Sequence, residues 1–428
     1  MTVAERVPEQ STSDSPWGSP RVAYVVSRFP KLTETFILYE ILAVQSLGVD
    51  VDLYPLQRER TTTMHPEAES MLATAHFQPL FSWSILRAQW YYLRRKPGMY
   101  VKTLWKLLRG TWGSLRYFAG ALVFFPKTVG FAYLMERHGI AHIHAHFASH
   151  PAAAAYVIHR LTGIPYSFTA HGSDLHRDRH MLCEKTAEAS FVVTISHYNQ
   201  QIFADTCGKQ VLPKVKVIRS GIDTRAFQPQ TGGQHNTQTV RPLTILCIGT
   251  LHEVKGQTYL IEACRLLRDK GVDLKCTFVG EGPDRNSLMA QAASANLDGH
   301  IEFCGQKTRQ EVIAFLREAD VLAAPSVPSR DNRREGIPVV LMEAMGSGVA
   351  AVASRLSGIP ELVEDEQTGL LVSPGDPESL ADALERLYRD PALRLRLGRN
   401  GREKVLREFD LDANAAELVR WFSMRGQL

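Results

Sequence analysis

Short apolar segments alternate with helix-like segments along most of this 428-residue chain. In the segment 33–47, Phe36, Ile37, Ile41 and Val44 recur at the spacing of one helical face. The pattern predicts a first series of strands at 21–27, 49–55, 140–147, 166–170, 191–195 and 215–218. It predicts a second series at 243–249, 274–280, 301–305, 321–325 and 349–354. This alternation predicts an α/β fold with a parallel, doubly wound sheet in each series.

Two series agree with the length, which exceeds what one ordinary hydrophobic core supports. Residues 228–241 are polar, contain glycine and lack periodicity, so they predict a linker. We predict a disordered tail at 1–19, Rossmann-like domains at 20–227 and 242–405, and a C-terminal helical segment at 406–428. The two domains should face a cleft where the carboxyl ends of the strands meet and ligands bind.

The composition is that of a globular protein, with 44% hydrophobic and 22% charged residues. The N-terminal segment is polar and lacks an apolar signal core, which predicts that the protein is not exported. The longest apolar run, residues 117–125, is shorter than the roughly 18 residues that cross a bilayer, so we predict no membrane span. The six cysteines lack the short spacing of metal or redox motifs. They favour free, buried thiols in a reducing cytoplasm.

The net charge of +4 is unevenly distributed. Between Glu69 and Glu136 there is no acidic residue, whereas this segment holds nine lysines and arginines and fifteen aromatic residues. Apolar residues recur there at helical spacing, at positions 86, 90 and 93 and again at 101, 104, 105 and 108. Helices rich in Lys, Arg and Trp bind anionic membrane surfaces, so we predict that Lys102, Trp105, Lys106 and Arg109 contact the inner face of the cell membrane. Core packing explains part of the apolar face, and nucleic acid is the weaker alternative because a two-domain cleft offers no reader element for it.

Two glutamates separated by seven residues mark the most informative stretch, residues 325–346. Gly336 allows a turn, and Pro338 suits a helix start, so a helix should begin at about Pro338. Its first amides, on Val339 and Val340, would point at an anion. Glu335 precedes that anion site, and Glu343 lies inside the helix, where a carboxylate can bind a vicinal diol. The simpler alternative is that both glutamates complement the helix dipole.

Two further turns follow strands of the second series. Gly249 and Thr250 lead to Lys255 before the next helix, an arrangement that suits a diphosphate because the amine neutralises its charge. A surface lysine in a turn is the alternative. The second turn, Gly280, Glu281 and Gly282, lacks the third glycine of a dinucleotide fingerprint.

Histidines gather near two strand ends of the first series. His171 ends one strand and is followed by a glycine. The alternative to a functional role is that it is a capping histidine whose ring forms hydrogen bonds with backbone groups. His142, His144 and His146 alternate on one strand face, where three imidazoles could bind zinc, but no carboxylate shares the run and we predict no metal. His146 lies nearest the cleft. Asp50 and Asp52 have the spacing of a metal-binding triplet, but alternate strand positions place both on the solvent face.

The run 325–346, together with a second Gly-Ile-Pro at 358–360, resembles the retaining nucleotide-sugar glycosyltransferases of family 4, which have the GT-B fold. The resemblance covers nearly all of 244–389 and, less tightly, 21–223. Residues 27–36 resemble the subset that builds bacterial exopolysaccharides of the colanic-acid type. The resemblance also implies that the C-terminal helix packs back on the first domain.

The resemblance implies roles for the catalytic and donor-binding residues. Glu335 and His171 would be catalytic, at the sugar that is transferred. Residues implied in donor binding are Lys255 at the diphosphate, Glu343 at the ribose, and Gly249, Thr250, Gly280, Glu281, Gly282, Gly305, Gly336, Ile337, Val339 and Val340. From the residues themselves we predict that Arg28, Lys31 and His146 bind the acceptor. A solvated turn in which Thr33 caps the helix is the alternative for Arg28 and Lys31. Thr250 stands where the family usually has an arginine, so either His252 or Arg333 replaces it or the phosphate clamp is weaker.

We therefore predict a retaining hexosyltransferase that moves a sugar from a nucleotide-diphosphate donor to a lipid-linked saccharide, without a cofactor, in cell-surface polysaccharide synthesis. A sugar-nucleotide epimerase or a phosphorylase is an alternative. The epimerase would consume donor without an acceptor, and the phosphorylase would need free phosphate. A non-catalytic lipid-binding protein would have no use for Glu335 and Glu343 together.

Overall fold

The computed structural model describes residues 21–31, 34–59, 66–79, 82–176, 179–229 and 241–424. The predicted tail at 1–19, residues 230–240 of the predicted linker, and the last four residues of the predicted C-terminal segment lie outside the described residues.

The first domain is a six-stranded sheet with helices on both faces. Its strands are β1 (Arg21–Phe29), β2 (Asp50–Arg58), β3 (His142–His146), β4 (Tyr166–Ala170), β5 (Phe191–Thr194) and β6 (Val215–Val217). Its helices are α1 (Thr35–Ser46), α2 (Pro66–Thr74), α3 (Trp83–Arg95), α4 (Pro97–Thr111), α5 (Leu115–His138), α6 (His150–Thr162), α7 (Ser173–His176), α8 (Leu182–Glu188) and α9 (His197–Cys207), followed by the 3-10 helix Lys209–Lys214.

The second domain repeats this plan. Its strands are β7 (Leu243–Ile248), β8 (Leu274–Val279), β9 (Ile301–Phe303), β10 (Val321–Ala324), β11 (Ala350–Ser354) and β12 (Leu370–Val372). Its helical segments are the 3-10 helix Glu253–Lys255, α10 (Gln257–Asp269), α11 (Arg285–Ser294), α12 (Arg309–Glu318), α13 (Val339–Gly346), α14 (Ile359–Leu362), α15 (Pro377–Arg389) and α16 (Pro391–Glu408). The chain then ends in a further helix, α17 (Leu411–Met424), which packs on the first domain. The pattern did not predict β12, a strand of three residues.

Both sheets are parallel, with strand orders β2-β1-β3-β4-β5-β6 and β12-β11-β10-β7-β8-β9. The predicted α/β, doubly wound architecture is confirmed. The strand order reverses between β1 and β3 in the first sheet and between β7 and β10 in the second. Ligands of such sheets bind outside the carboxyl ends of the strands at this reversal. The loops after β7 and β10 carry Lys255 and Glu335.

The C-terminal helix α17 belongs to the core of the first domain. Its Ala415, Leu418 and Phe422 are buried in the same apolar cluster as Val22 and Tyr24 of β1. Helix α16 therefore carries the chain out of the second domain, and the predicted boundary at residue 405 falls inside this helix.

Helix α5 is long and apolar enough to cross a membrane, but half of its most apolar window is buried. One such helix is weak evidence for a span. Lys127, within α5, donates to the carbonyl of Leu56 at 2.6 Å and is itself buried. Burial lowers the pKa of this lysine. The packing makes α5 a core helix of the first domain, and the longest apolar run found in the sequence lies in it.

Two of the six cysteines form a disulfide. Cys183 of α8 is bonded to Cys207 at the end of α9, 24 residues away. The prediction of free thiols is wrong for this pair, because two helices packed side by side bring together cysteines that are distant in sequence. Cys247, Cys264 and Cys276 are free and buried, as the pattern predicted.

Candidate active site between the two domains

A cavity of about 390 Å³ lies between the two domains, at the carboxyl ends of the strands. The first domain lines it with Thr35, Phe36, Tyr39, His171, Gly172, Ile195 and Ser220. The second domain lines it with Ile248, Gly249, Thr250, Lys255, Gln306, Lys307, Arg309, Val312, Arg334, Glu335, Gly336, Ile337, Pro338, Val339, Val340 and Glu343. The structure thus collects at one cavity residues that the sequence places in seven separate loops or helix starts.

The amino end of α13 forms one wall of the cavity. Pro338 has φ −64° and ψ 129°, so it is the capping residue, and the helix begins one residue later than predicted, at Val339. An amide in the first turn of a helix has no partner within that helix. Val339 and Val340 carry two such amides and line the cavity, so this wall presents backbone donors and the positive end of the helix dipole.

Lys255 and Glu335 form an ion pair across the loops that follow β7 and β10. The Lys255 Nζ lies 2.7 Å from Oε2 of Glu335, and both side chains are half-buried. Gly249 has φ +150°, and a Cβ there would lie 3.2 Å from Cε of Lys255. Glycine at this turn therefore leaves room for the lysine stem as it reaches into the cavity.

Glu343 lies at the cavity wall one turn into α13. Burial raises the pKa of this carboxyl to about 7, while the positive charge of Arg309 lowers it. Arg309 begins α12, and its guanidinium donates to Asp223 at 3.2 Å and lies 4.6 Å from the centre of the Tyr39 ring. Sequence reasoning missed Arg309 because the residues around it form an ordinary helix start, a capping box of Thr308 and Glu311 that gives no sign of ligand binding.

The structure shows which cations share the cavity with Thr250. Both residues proposed to replace the usual arginine have other contacts: His252 accepts from the amide of Val254 at 3.2 Å, and Arg333 lies 3.6 Å from Asp331. Neither lines the cavity. Arg334 does, together with Lys307 and Arg309. The tandem arginines at 333 and 334 held the signal, but the sequence did not show which of them faces the cavity.

The turn Gly280 to Gly282 packs against the Lys255 loop and does not line the cavity. A Cβ at Gly280 would lie 2.0 Å from the carbonyl oxygen of Gly249, and one at Gly282 would lie 2.2 Å from that of Leu251. Glu281 lies 3.5 Å from Arg285. The predicted close approach exists, but it joins two protein loops. Gly305 accepts from the amide of Gly280 at 2.8 Å and also lies outside the lining.

His171, the residue that follows β4, lines the cavity. Its Nε2 lies 3.1 Å from Nδ1 of His146, and its ring lies between Phe36 and Phe147, at 4.7 and 4.9 Å. Burial and the neighbouring His146 hold the pKa of His171 well below its ordinary value.

The two domains touch beside this histidine. A Cβ on Gly172 would lie 3.0 Å from the Cα of Gly336. His171 and Glu335, adjacent to these glycines, therefore lie on opposite sides of the same domain contact.

The residues predicted to bind an acceptor do not line the cavity. His146 is fully buried behind His171. Arg28 pairs with Glu59 at 3.3 Å, and Lys31 pairs with Glu34. The prediction of direct acceptor contact by His146 does not fit this placement.

Two groups of side chains have the ligand spacing of a metal site. The first is Glu40 with His144 and His146, and the second is Asp52 with His76 and His138. His144 has hydroxyl partners at both ring nitrogens, 2.8 Å from Ser167 and 2.9 Å from Thr169. The absence of a catalytic metal remains a prediction.

Asp52 does not lie on a solvent face as predicted. It is mostly buried and pairs with Arg21 at 2.9 Å. Only Asp50 is exposed, because α5 and the segment after α2 cover the end of β2.

Helices α3 and α4 turn tryptophans outward. Trp83, Trp90 and Trp105 are 87%, 62% and 64% exposed. The opposite faces, with Ile85, Ala88 and Tyr92 on α3 and Thr103, Leu107 and Thr111 on α4, are buried. Lys102 and Arg109 lie on the exposed side with Trp105, whereas Lys106 lies 3.5 Å from Glu188. Most of the predicted membrane residues therefore share one outward face.

Two doubly wound domains enclose a helix amino end, a lysine and two glutamates, an arrangement that agrees with the predicted GT-B class of glycosyltransferases. Residues 33–226 match the model of Glycosyltransferase Family 4, and residues 234–404 match that of Glycosyl transferases group 1. The putative colanic acid biosynthesis glycosyltransferase WcaL of Escherichia coli (strain K12) is 30% identical over 415 residues, covering 93% of this chain and 98% of that protein. The chain belongs to glycosyltransferase family 4.

Other similar proteins agree with this assignment. The amylovoran biosynthesis glycosyltransferase AmsK of Erwinia amylovora is 36% identical, over 56% of this chain and 59% of that protein. The crystal structure of Anabaena HepE in complex with UDP-glucose has a TM-score of 0.67 and 16% identity, over 94% of this chain and 99% of that one. A glycosyltransferase from Rickettsia africae has a TM-score of 0.70 and 15% identity, over 95% and 99%. The shared fold confirms the predicted GT-B arrangement.

Proposed function

We propose that this glycosyltransferase moves a hexosyl group from a nucleotide-diphosphate sugar to a saccharide acceptor carried on a lipid, with retention at the anomeric carbon, in the synthesis of an exopolysaccharide. The observation that carries the proposal is the assembly of Lys255, Glu335, Glu343 and the amino end of α13 around one cavity. The names of the colanic acid and amylovoran relatives support the polymer, and the UDP-glucose in HepE supports the kind of donor.

The donor would occupy the cavity with its diphosphate at the Val339 and Val340 amides and at Lys255. The lysine now pairs with Glu335, and a diphosphate is a stronger partner because it offers more charge and more acceptor oxygens. Exchange of partners would leave Glu335 beside the sugar, where a carboxylate stabilises the positive charge that develops at the anomeric carbon. Glu343 would accept hydrogen bonds from the ribose.

In the reaction, the bond between the anomeric carbon and the diphosphate oxygen breaks, and a bond to the acceptor oxygen forms. The hydroxyl proton of the acceptor passes to the leaving diphosphate. Lys255 and the α13 amides stabilise the charge that collects there. Retention follows when the acceptor oxygen approaches from the face that the diphosphate leaves.

A donor screen tests the proposal. Thermal unfolding should be measured with UDP-glucose, GDP-mannose and ADP-glucose, and the stabilising donor then incubated with lipid-linked saccharides. We expect one donor to raise the melting temperature of the wild type and to raise that of Glu343→Gln much less. Product NMR should show retained configuration. Donor consumption without acceptor would identify an epimerase, and a requirement for free phosphate a phosphorylase. Failure of all three donors to bind would contradict the assignment.

We also propose that the α3–α4 surface holds the enzyme on the cytoplasmic face of the membrane. Exposed Trp83, Trp90 and Trp105 support this, because indole rings favour the membrane interface, and each nearby Lys or Arg adds about 1 kcal/mol at an anionic surface. Lys102→Gln with Arg109→Gln should release the protein from anionic vesicles. The matched control is Arg396→Gln with Arg399→Gln on α16, which removes the same charge from another exposed surface. Equal binding of the wild type to neutral and anionic vesicles would contradict the proposal.

A further inference from the structure

Behind the cavity, three buried or half-buried side chains form a continuous hydrogen-bonded chain. Nε2 of His171 lies 3.1 Å from Nδ1 of His146, and Nε2 of His146 lies 3.0 Å from Oε1 of Glu40. Glu40 comes from α1, His146 from the end of β3 and His171 from the end of β4. Of the three, only His171 lines the cavity.

We infer that Glu40 and His146 are positioning residues that fix which ring nitrogen of His171 carries the proton. The hydroxyl of Tyr24 donates to the same Oε1 atom of Glu40, at 3.2 Å, so this oxygen accepts two hydrogen bonds. A carboxylate only accepts, and His146 must therefore carry its proton on Nε2, the nitrogen that faces Glu40.

The tautomer of His146 determines the tautomer of His171. A neutral imidazole with its proton on Nε2 has a lone pair on Nδ1. That nitrogen faces His171, so His171 must donate from its own Nε2. Burial and the contact with His146 hold the pKa of His171 low, in agreement with a neutral ring. His171 then has a bare Nδ1, which is left to accept a hydrogen bond.

The backbone around His171 is fixed by other contacts. The carboxylate of Asp174 accepts from the amide of His171 at 3.0 Å and from the amide of Ala148 at 2.6 Å. The carbonyl of His171 accepts from Asn199 at 2.9 Å. The ring itself is held between Phe36 and Phe147. The backbone contacts and the two aromatic rings thus fix where the His171 ring lies. Glu40 and His146 fix which of its nitrogens carries the proton.

This step rests on the proposed glycosyl transfer: the bare Nδ1 accepts a hydrogen bond from a hydroxyl of the hexosyl group. The opposite tautomer would place an N–H there and favour a substrate group that accepts. The chain from Glu40 therefore makes His171 an acceptor for a hydroxyl rather than a donor to an oxygen.

Histidine 15N NMR of the whole protein tests the inference directly, because protonated and bare ring nitrogens differ widely in shift. The His171 signals are assigned by their loss in His171→Asn. We expect the proton on Nε2 in the wild type. Glu40→Leu removes the acceptor for His146, so the tautomers of His146 and His171 should reverse. Glu40→Gln keeps an acceptor oxygen and should retain the wild-type tautomer. Tyr24→Phe is the control and should also retain it.

Transfer kinetics give the second readout. Glu40→Leu should lower kcat/KM about tenfold, as expected for one hydrogen bond that is lost or reversed, and Glu40→Gln should recover most of it. A proton on Nδ1 of His171 in the wild type would overturn the inference, whatever the activity. Absence of transfer with the expected tautomer would overturn the proposed function and leave the proton arrangement standing.

Discussion

The two walls of the cleft differ in charge. The wall from the second domain carries Lys255, Lys307, Arg309, Arg334, Glu335 and Glu343. The wall from the first domain presents Phe36, Tyr39, Ile195 and a neutral His171. The difference indicates a division of labour in which one domain binds the charged part of a donor and the other adds rings and neutral hydrogen bonds. Variants on each side should therefore fail in different ways.

The largest effect is expected from Glu335→Gln. Removal of the charge that stabilises the developing positive centre should lower kcat by about 10²–10³-fold and leave the donor dissociation constant nearly unchanged. Steady-state kinetics with calorimetric donor binding measures both. Glu343→Gln should show the opposite pattern, with weaker donor binding and a smaller loss of kcat. An exchange of the two patterns would reverse the assigned roles.

Glu343 should make the ligand-free protein less stable as the pH rises. Its pKa is raised from 4.5 to about 7, so the folded state keeps a proton that the unfolded chain has already lost between these values. The stabilisation is complete below pH 4.5 and is lost as the pH passes through 7. Between pH 5 and pH 8 the free energy of unfolding should fall by up to about 3 kcal/mol relative to Glu343→Gln. Urea unfolding at the two pH values is the measurement. Parallel curves for both proteins would show that Glu343 does not titrate in this range.

Lys255→Ala should separate the recognition of phosphate from that of the nucleoside. Loss of one charged hydrogen bond should weaken nucleoside diphosphate binding by about 2 kcal/mol, or roughly thirtyfold, and should leave nucleoside binding unchanged. Calorimetric titration of both ligands measures this. Lys270→Ala serves as the control, since this lysine pairs with Asp382 and Glu385 on the surface. Equal losses for both ligands would place Lys255 away from the phosphates.

The smallest effect is expected where the two walls are joined. Glu361 of α14 accepts from the amides of His197 and Tyr198, at 3.0 and 2.8 Å, at the amino end of α9 in the other domain. Glu361→Ala should cost about 1 kcal/mol, as for loss of a helix cap, and should shift the domains towards an open arrangement. Thermal unfolding and small-angle scattering report the two changes. Glu366→Ala, which removes a surface pair with Arg386, should change neither.

The charged wall was largely predictable from sequence because it is built from contiguous strand, loop and helix segments. Glu335, Gly336 and Glu343 lie within nine residues, and Lys255 follows β7 at a short interval. Arg309 was not predictable because it reaches the cavity from a helix start whose pattern, a capping box, is that of any helix. The packing of the Gly280–Gly282 turn against the Lys255 loop was also hidden, since a glycine turn has the same sequence pattern beside a ligand and beside another loop.

The first wall was harder to predict. The histidine alternation placed His142, His144 and His146 on one strand face, but burial and their partners on β4 depend on the strand order, which sequence alone did not give. Glu40 showed no signal, because a glutamate on an amphipathic helix normally faces water. The apolar residues of α3 and α4 showed the spacing of a helix in the sequence, but only the structure shows that the tryptophans face outward.

The contact between Gly172 and Gly336 gives the closed cleft a minimum width that no side-chain rotamer can adjust. A single methyl group at Gly172 would meet backbone atoms at 3.0 Å and would act as a permanent wedge. Alanine at this position should therefore keep the two domains apart without removing any charged side chain of the cavity. The distance between the closed domains therefore depends on glycine at both positions, because neither residue has a side chain.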